Sequence, residues 1–442
     1  MRPARTTLHG AIWAIALPSM LTNVATALFG LADMWVIGRL GDAPAQGGVE
    51  VGAKLLMALL IVFNFLRSGA TALTAQASGR ADEGEQAAVL VRGLAAALGI
   101  GALLLLAQPL VLSLGLAMLG AAGEVAGQAR TYVEIRYWGG LAWLLNAVLT
   151  GWLIGRRRVR EILVVEVGAN LLHIALDLAF VLGLGLGVAG VAFATLLSET
   201  AKLVALGAIT AREPPARQAL ATVRAKATWR AEALWSLFRL NRDLFGRTLL
   251  LMAATVLLTR AGVAQGATVL AANAILFQLF MLGALILDGP ESAAQVLCGE
   301  ALGGRDRTRF VRLIGLILGW GALGAALISL IYLVGGAAFA RTFSVDPAVA
   351  ATVTTYAAWA VLLPLAGVAS FVLDGVFIGS SWTRALLLTM AAALAVFVVL
   401  LIGLKPLGNH GLWLAFSLFF VARAAGQAAL LPGLIRRSFA PG

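Results

Sequence analysis

Residues 16–41 read ALPSMLTNVATALFGLADMWVIGRLG, an apolar stretch with a single carboxylate, Asp33. It is long enough to cross a bilayer as a helix. An ionised group in hydrocarbon costs about 3 kcal/mol even on the gentlest scale, so such a residue faces a partner or a pathway. Asn23, Thr26, Gly30 and Asp33 recur at spacings of 3, 4 and 3 and share one helical face. Pro18 lies inside the same span, removes one backbone hydrogen bond and marks a hinge. A bendable helix with one carboxylate on a polar stripe has the outline of a proton- or ion-coupled element.

The rest of the chain fits a membrane around this helix. Of 442 residues, 61% are hydrophobic and 12% charged, and the mean hydropathy is +0.93. Soluble domains carry roughly twice that charged fraction. Hydropathy and breaker residues predict twelve spans near 14–39, 51–74, 88–118, 128–154, 161–183, 187–210, 236–260, 267–296, 310–338, 348–377, 384–403 and 409–433. The glycine-rich GLGLGVAG joins the fifth to the sixth. Most Arg and Lys gather in alternate connections, as with Arg156, Arg157, Arg158 and Arg160 after the fourth span and Arg305, Arg307, Arg309 and Arg312 after the eighth. The opposite connections hold only Arg39, Lys54, Arg130, Arg260, Arg341 and Lys405. The positive-inside rule then places both termini in the cytoplasm, which requires an even span count. The net charge of +12 is thus assigned to a membrane topology and not to nucleic acid. The N-terminus lacks a small-residue cleavage site, so the first span is expected to stay. A single cysteine, Cys298, excludes an internal disulfide framework.

The chain also repeats. Gly151-Trp-Leu-Ile-Gly155 matches Gly375-Val-Phe-Ile-Gly379, and Ala77, Gly79 and Asp82 match Ala301, Gly303 and Asp306, all at an offset of 224. Gly187, Gly190, Ala194 and Leu197 match Gly408, Gly411, Ala415 and Leu418 at 221. Recurrence in one order at nearly one offset predicts two like-oriented halves related by a pseudo-two-fold along the membrane normal. The expected fold is an all-α polytopic membrane protein of twelve transmembrane helices in two pseudo-symmetric six-helix lobes. The lobes are 1–210 and 236–442, joined by a cytoplasmic linker at 211–235 that leads into a short amphipathic helix in WRAEALWSLFRLNRDLF.

Further polar residues lie inside the spans. In the fifth, Asn170, His173 and Asp177 form one stripe with Glu166 a turn earlier, and the sixth adds Thr195 and Glu199. Glu166 and Glu199 fall near span ends and read as hydrated. Tyr132 and Asn146 belong to the fourth span; Asn273, Gln278, Asp288 and Glu291 to the eighth, with Pro290 between the last two; Asp374 ends the tenth. Enzyme chemistry finds little support. His173 and Asp177 are the only close His–carboxylate pair deep in the membrane, and no Cys or second His joins them, so no metal centre and no cofactor is expected. His9 and His410 lie near a terminus and a span edge. No GxxxxGK[ST] is present, so energy must come from an ion gradient or from the substrate's own.

These residues resemble the multidrug and toxic compound extrusion (MATE) family, in its DinF-like branch. The resemblance rests on ALPSMLTN…GLADMWVIGRLG, LRSGATALTAQASGRAD, YVEIRYWGGLAWLLNAVLTGWLIG and ANLLHIALDLAFVLGLGLGVAGVAFATLLSE in the first half, and on LNRDLFGRTLLL, LDGPESAAQ, LDGVFIGSS and GNHGLWLA in the second. It implies two lobes around a central cleft, opening alternately to either side. It also implies antiport of organic cations or amphiphilic drugs against protons or sodium; a monomer in the bacterial inner membrane is the expected form. The family's cation site corresponds to Asp33, Asp177 and Thr195, with Asn170 on the same stripe and Pro18 as the hinge; Tyr132 and Asn146 match polar positions of the fourth span. One position departs, since His173 stands where relatives carry Asn. Imidazole is a poorer sodium ligand than an amide carbonyl, so protons are the expected coupling ion and sodium the alternative. Asp288 and Asp374 look like acidic positions of the branch, while Pro290 and Glu291 depart from it. The substrate-cavity candidates are Tyr132 and Asn146 in the first lobe and Asn273, Gln278, Asp288 and Asp374 in the second. A lipid-linked precursor flippase of the same superfamily is the second reading, and a membrane-embedded enzyme built on His173 and Asp177 the third.

Overall fold

The computed structural model describes residues 7–343 and 346–440, with the side chains of 28–32 and 336–343 outside that description. Gly30 of the first stripe, Arg341 and the basic residues before Thr7 therefore lie outside the described side chains. Among the described residues all regular structure is helical. The first half comprises α1 (Leu8–Gly38), α2 (Ala43–Ile61), α3 (Phe65–Gly79), α4 (Glu83–Met118), α5 (Gly123–Arg136), α6 (Gly139–Gly155), α7 (Val159–Asp177) and α8 (Gly187–Arg212). Two short helices, α9 (Pro214–Arg217) and α10 (Ala219–Arg224), follow. The second half comprises α11 (Ala231–Val263), α12 (Ala267–Gly303), α13 (Arg307–Phe343), α14 (Pro347–Gly379), α15 (Thr383–Gly403) and α16 (Gly408–Ser438).

Among the described residues, eleven segments are long and apolar enough to cross a membrane, α2 and α3 counting as one, and α5 with α6, bent by 51° at the break, makes a twelfth. The bend falls at Tyr137-Trp138-Gly139-Gly140, where two glycines weaken the helix and the Tyr137 hydroxyl donates to the Leu104 carbonyl of α4 at 2.8 Å. The expected short amphipathic helix before the seventh span is not separate. Residues 231–245 hold no Gly or Pro to break them, so they form the first turns of the continuous α11.

The chain divides into two compact units, Leu21–Phe238 and the residues up to Met20 together with those from Arg239 onward. This differs from the sequence boundaries in two places. The start of α1 belongs with the second half, because Ile12, Ile15 and Ala16 are buried there and Trp13 meets Trp320 of α13 edge-on at 5.2 Å. The division thus falls within α1, two residues beyond Pro18. The 211–235 segment docks onto the first half and so belongs to that unit. Glu213 accepts from Arg156 Nε at 2.9 Å and pairs with Arg158 at 2.7 Å, and Arg92 Nε donates to the Thr228 carbonyl at 2.8 Å.

The internal repeat is built into the backbone. A side chain at Gly151 would collide with the Arg67 carbonyl, and one at Gly375 with the Glu291 carbonyl; both glycines and both partners differ by 224. These positions let α6 lie against α3, and α14 against α12, at backbone contact. The non-glycine residues with positive φ pair the same way among the described residues: Ala81 with Arg305, both at 55°, and Arg157 at 61° with Ser381 at 56°. Asp82 caps α4 by accepting from the Glu85 amide at 2.8 Å, and Asp306 caps α13 by accepting from Arg309 at 2.9 Å. The core of the first unit gathers Val36, Ile37, Tyr132, Val133, Val188 and Val191. That of the second is aromatic, around Phe280, Phe397, Trp413, Phe416, Phe419 and Phe420.

Candidate functional site

The polar stripe of α7 meets α1 and α8 inside the first unit. His173 and Asp177 are fully buried and Asp33 nearly so. His173 Nε2 lies 2.5 Å from Asp33 Oδ1 and 3.1 Å from Asp177 Oδ2. The i,i+4 spacing on α7 makes the second contact; the first comes from α1, 140 residues away. Ser198 Oγ of α8 sits 3.5 Å from His173 Nδ1 and donates its own proton to the Thr195 carbonyl at 3.0 Å. Its lone pairs are therefore left for an Nδ1–H, which turns Nε2 to the two carboxylates. Both Asp177 carboxylate oxygens are buried without a well-formed hydrogen bond. Immediately after Asp177 the helix loosens into a π-helical turn, Leu178–Gly183, a feature common at functional sites. It lies in the interval where the repeat offset falls from 224 to 221.

Two further contacts fasten α1 to α7. Asn170 Nδ2 donates to the Ala25 carbonyl at 2.8 Å, and Thr26 Oγ1 donates to Glu166 Oε1 at 3.0 Å. Glu166 also pairs with Lys202 of α8 at 2.7 Å. The hydrated reading of Glu166 is therefore corrected: it is buried, and a lysine inside the same helix bundle meets its charge. Thr195 is buried and donates to Val191 of its own helix at 3.0 Å. Asn146 donates to the Glu199 carboxylate at 2.9 Å, and Tyr132 accepts from Arg136 at 2.8 Å in the core against Gly52.

Of the candidates of the second unit, Asn273 stands in a cluster of its own, whereas Glu291 lies within electrostatic reach of both Asp288 and Asp374. Asp374 is buried and held by Arg247, by Arg423 at 2.5 Å and by Gln427 at 2.5 Å. Arg423 also lies over the Phe419 and Phe420 rings at 5.5 and 5.2 Å. Asn273 exchanges hydrogen bonds with Asn409 at 2.9 and 2.8 Å and accepts from Trp413 at 2.8 Å. Asp288 and Glu291 are half-buried on either side of Pro290, and Gln278 is exposed. Ser198, Lys202, Arg136, Arg247, Arg423 and Gln427 escaped the sequence reading. Lys202 and Arg423 differ by 221, so the repeat offset itself marks them as paired intramembrane cations.

The same offsets make the two units' chemistry comparable. At 224, Asp33, His173 and Asp177 fall on Leu257, Phe397 and Leu401; at 221, Thr195, Ser198 and Glu199 fall on Phe416, Phe419 and Phe420. All six counterparts pack in one apolar cluster. Phe397 meets Phe419 at 5.7 Å where His173 faces Ser198 in the first unit. The scaffold is duplicated, and the histidine–carboxylate cluster stands on one copy.

Chemically the cluster is a place for a cation. Asp33, His173 and Asp177 each offer a ligand atom, all within 4.8 Å of one another. With Nδ1 turned to Ser198, a neutral imidazole would aim its Nε2 lone pair at two carboxylates, and only a proton or another cation relieves that convergence.

A repeated all-helical membrane protein with an intramembrane ion cluster on one repeat has the architecture of a secondary transporter. The MatE family model matches residues 18–180 and 245–404, and the chain belongs to that family of membrane transporters. It is 36% identical over 420 residues to DNA damage-inducible protein F of Escherichia coli strain K12, covering 95% of this chain and 91% of that one. It is 29% identical to the probable multidrug resistance protein NorM of Thermotoga maritima over 189 residues, 42% of this chain and 40% of that one. The fold is similar to that of a MATE transporter solved in a bent conformation, with a TM-score of 0.87 at 20% identity over 98% of this chain and 97% of that one.

Proposed function

We propose that the protein is a secondary active multidrug efflux antiporter, exporting organic cations or amphiphilic drugs in exchange for protons by alternating access of its two repeat-related lobes. The observation that carries this reading is His173 Nε2 set between Asp33 and Asp177. Asp33 on α1 is the main proton carrier, Asp177 tunes it, and His173 orients the pair or shares the proton. Protonation changes the charge that binds α1 to α7, while Asn170 and Thr26 keep the two helices in register; Pro18 lets the span bend. Sodium is disfavoured because an imidazole nitrogen replaces a hard oxygen ligand. The protein acts as a monomer in a bacterial cytoplasmic membrane with both termini inside, in keeping with the basic connections.

In proteoliposomes, an imposed pH gradient without sodium drives dye movement, and a sodium gradient at symmetric pH does not. Transport driven by sodium alone overturns the proton assignment. Movement of a lipid-linked precursor, with no dye movement under either gradient, favours the flippase reading.

A further inference from the structure

The sequence shows no metal-ligand spacing, because its third donor lies on a distant helix. The fold supplies that donor. One imidazole nitrogen and two carboxylates converge inside the helix bundle, all three residues buried and their ligand atoms within 4.8 Å of one another. Two observations add to proximity. Both oxygens of Asp177 lack a well-formed hydrogen bond although the residue is fully buried. The outer ring nitrogen of His173 faces Ser198 Oγ at 3.5 Å, the kind of contact behind a ligand that aims a histidine's other nitrogen at a metal.

From this we infer that the Asp33–His173–Asp177 triad binds a divalent first-row transition cation of the zinc type, in the place the coupling proton otherwise takes. The inference rests on the triad being the coupling site only in naming the proton as the competitor. The donor set selects the ion. Imidazole favours zinc, cobalt, nickel or copper over sodium, magnesium or calcium, and two carboxylates neutralise a double positive charge. Around a tetrahedral ion with bonds near 2.1 Å, donor atoms sit roughly 3.4 Å apart. The 3.1 Å gap between His173 and Asp177 nearly meets that spacing. The 2.5 Å gap to Asp33 must widen by about 1 Å, and Asp33 stands on a separate helix that can give it. Three protein donors leave a position open for water. Binding displaces the shared proton, so it weakens as pH falls, and the occupied site competes with proton-driven transport.

The test uses full-length protein in detergent, purified through a tag without histidines and titrated with Co²⁺. The expected result is a visible d–d band saturating at one ion per chain, displaced by Zn²⁺ and weakened at acid pH. His173→Asn and Asp177→Asn should each weaken binding roughly tenfold or more, while His9→Asn and His410→Asn leave it unchanged. X-ray absorption of the wild-type cobalt complex should show a single imidazole in the ligand shell, a readout that needs no variant to fold. No band in the wild type, an unchanged band in His173→Asn, or a shell without imidazole overturns the inference. Because the titration needs no transport, sodium-driven dye movement in vesicles would sink the proton reading and leave metal binding standing.

Discussion

Asp374→Asn tests whether the second unit's buried carboxylate is a charge lock or part of a transport path. The side chain keeps its size, and Gln427 can still donate to the remaining carbonyl oxygen. What is lost is the negative charge facing Arg247 and Arg423, the latter 3% exposed. Breaking a buried pair from one side costs about 3–5 kcal/mol, because the surviving ion stays desolvated and uncompensated. The amide retains part of the hydrogen bonding, so about 3 kcal/mol is expected, roughly a hundredfold in the folded-to-unfolded ratio. Unfolding in mixed micelles, followed by tryptophan fluorescence, measures it. The triple change Asp374→Leu, Arg247→Met and Arg423→Met should recover most of the loss, since apolar groups of similar volume replace buried ion pairs at little cost. Stability of Asp374→Asn within about 0.5 kcal/mol of the parent, with transport abolished, would refute the lock and put Asp374 into the transport cycle.

The first unit should behave in the opposite way. Asp33→Asn preserves shape and reaches the membrane at the parent level, yet efflux fails; normal drug resistance in cells making it would contradict the assignment of the proton to Asp33. His173→Asn restores a hard oxygen donor beside Asp177 and should let a sodium gradient drive dye uptake into vesicles; persistence of proton-only transport would show that the ring does not select the ion. Gly151→Val and Gly375→Val each force a side chain into a backbone carbonyl and should cost at least about 1–3 kcal/mol, by similar amounts because the contacts repeat. A silent substitution at either position in a detergent melting experiment would show that the helices do not approach at that point.

The span count and the repeat were legible because both are written in local pattern. Apolar runs about 20 residues long mark the spans, and glycines fixed by backbone approach cannot drift in one half without the other. His173 with Asp177 was legible too, as an i,i+4 pair. The meeting of that pair with Asp33 was not, since 140 residues separate them and no periodicity connects α1 to α7; family resemblance pointed to it. Sequence misread Glu166 because position along a span says how deep a residue lies, not which neighbour faces it, and Lys202 is on another helix. The same gap hid the lock around Asp374, whose partners come from α11 and α16. The first turns of α11 differ for another reason: an amphipathic pattern suggests a separate element, yet residues 231–245 contain no Gly or Pro to stop the helix.

The contrast between the two buried acid clusters follows from the bases that meet them. Asp374 faces two guanidiniums, which stay protonated in proteins and hold their charge whatever the side of the membrane they sense. Asp33 and Asp177 face an imidazole, the one side chain whose unperturbed titration lies near neutrality, set where its lone pair and both carboxylates compete for one cation. The first arrangement ties α11, α14 and α16 together through ion pairs. In the proposed cycle the second changes charge as a proton arrives or leaves, across the contact between α1 and α7. In the duplicate unit the positions equivalent to the triad are Leu257, Phe397 and Leu401, packed in hydrocarbon. In the proposed cycle, a duplicated scaffold with an imidazole–carboxylate cluster on one copy couples the conformational change to the ion from that copy, where the other copy carries only hydrocarbon at the equivalent positions.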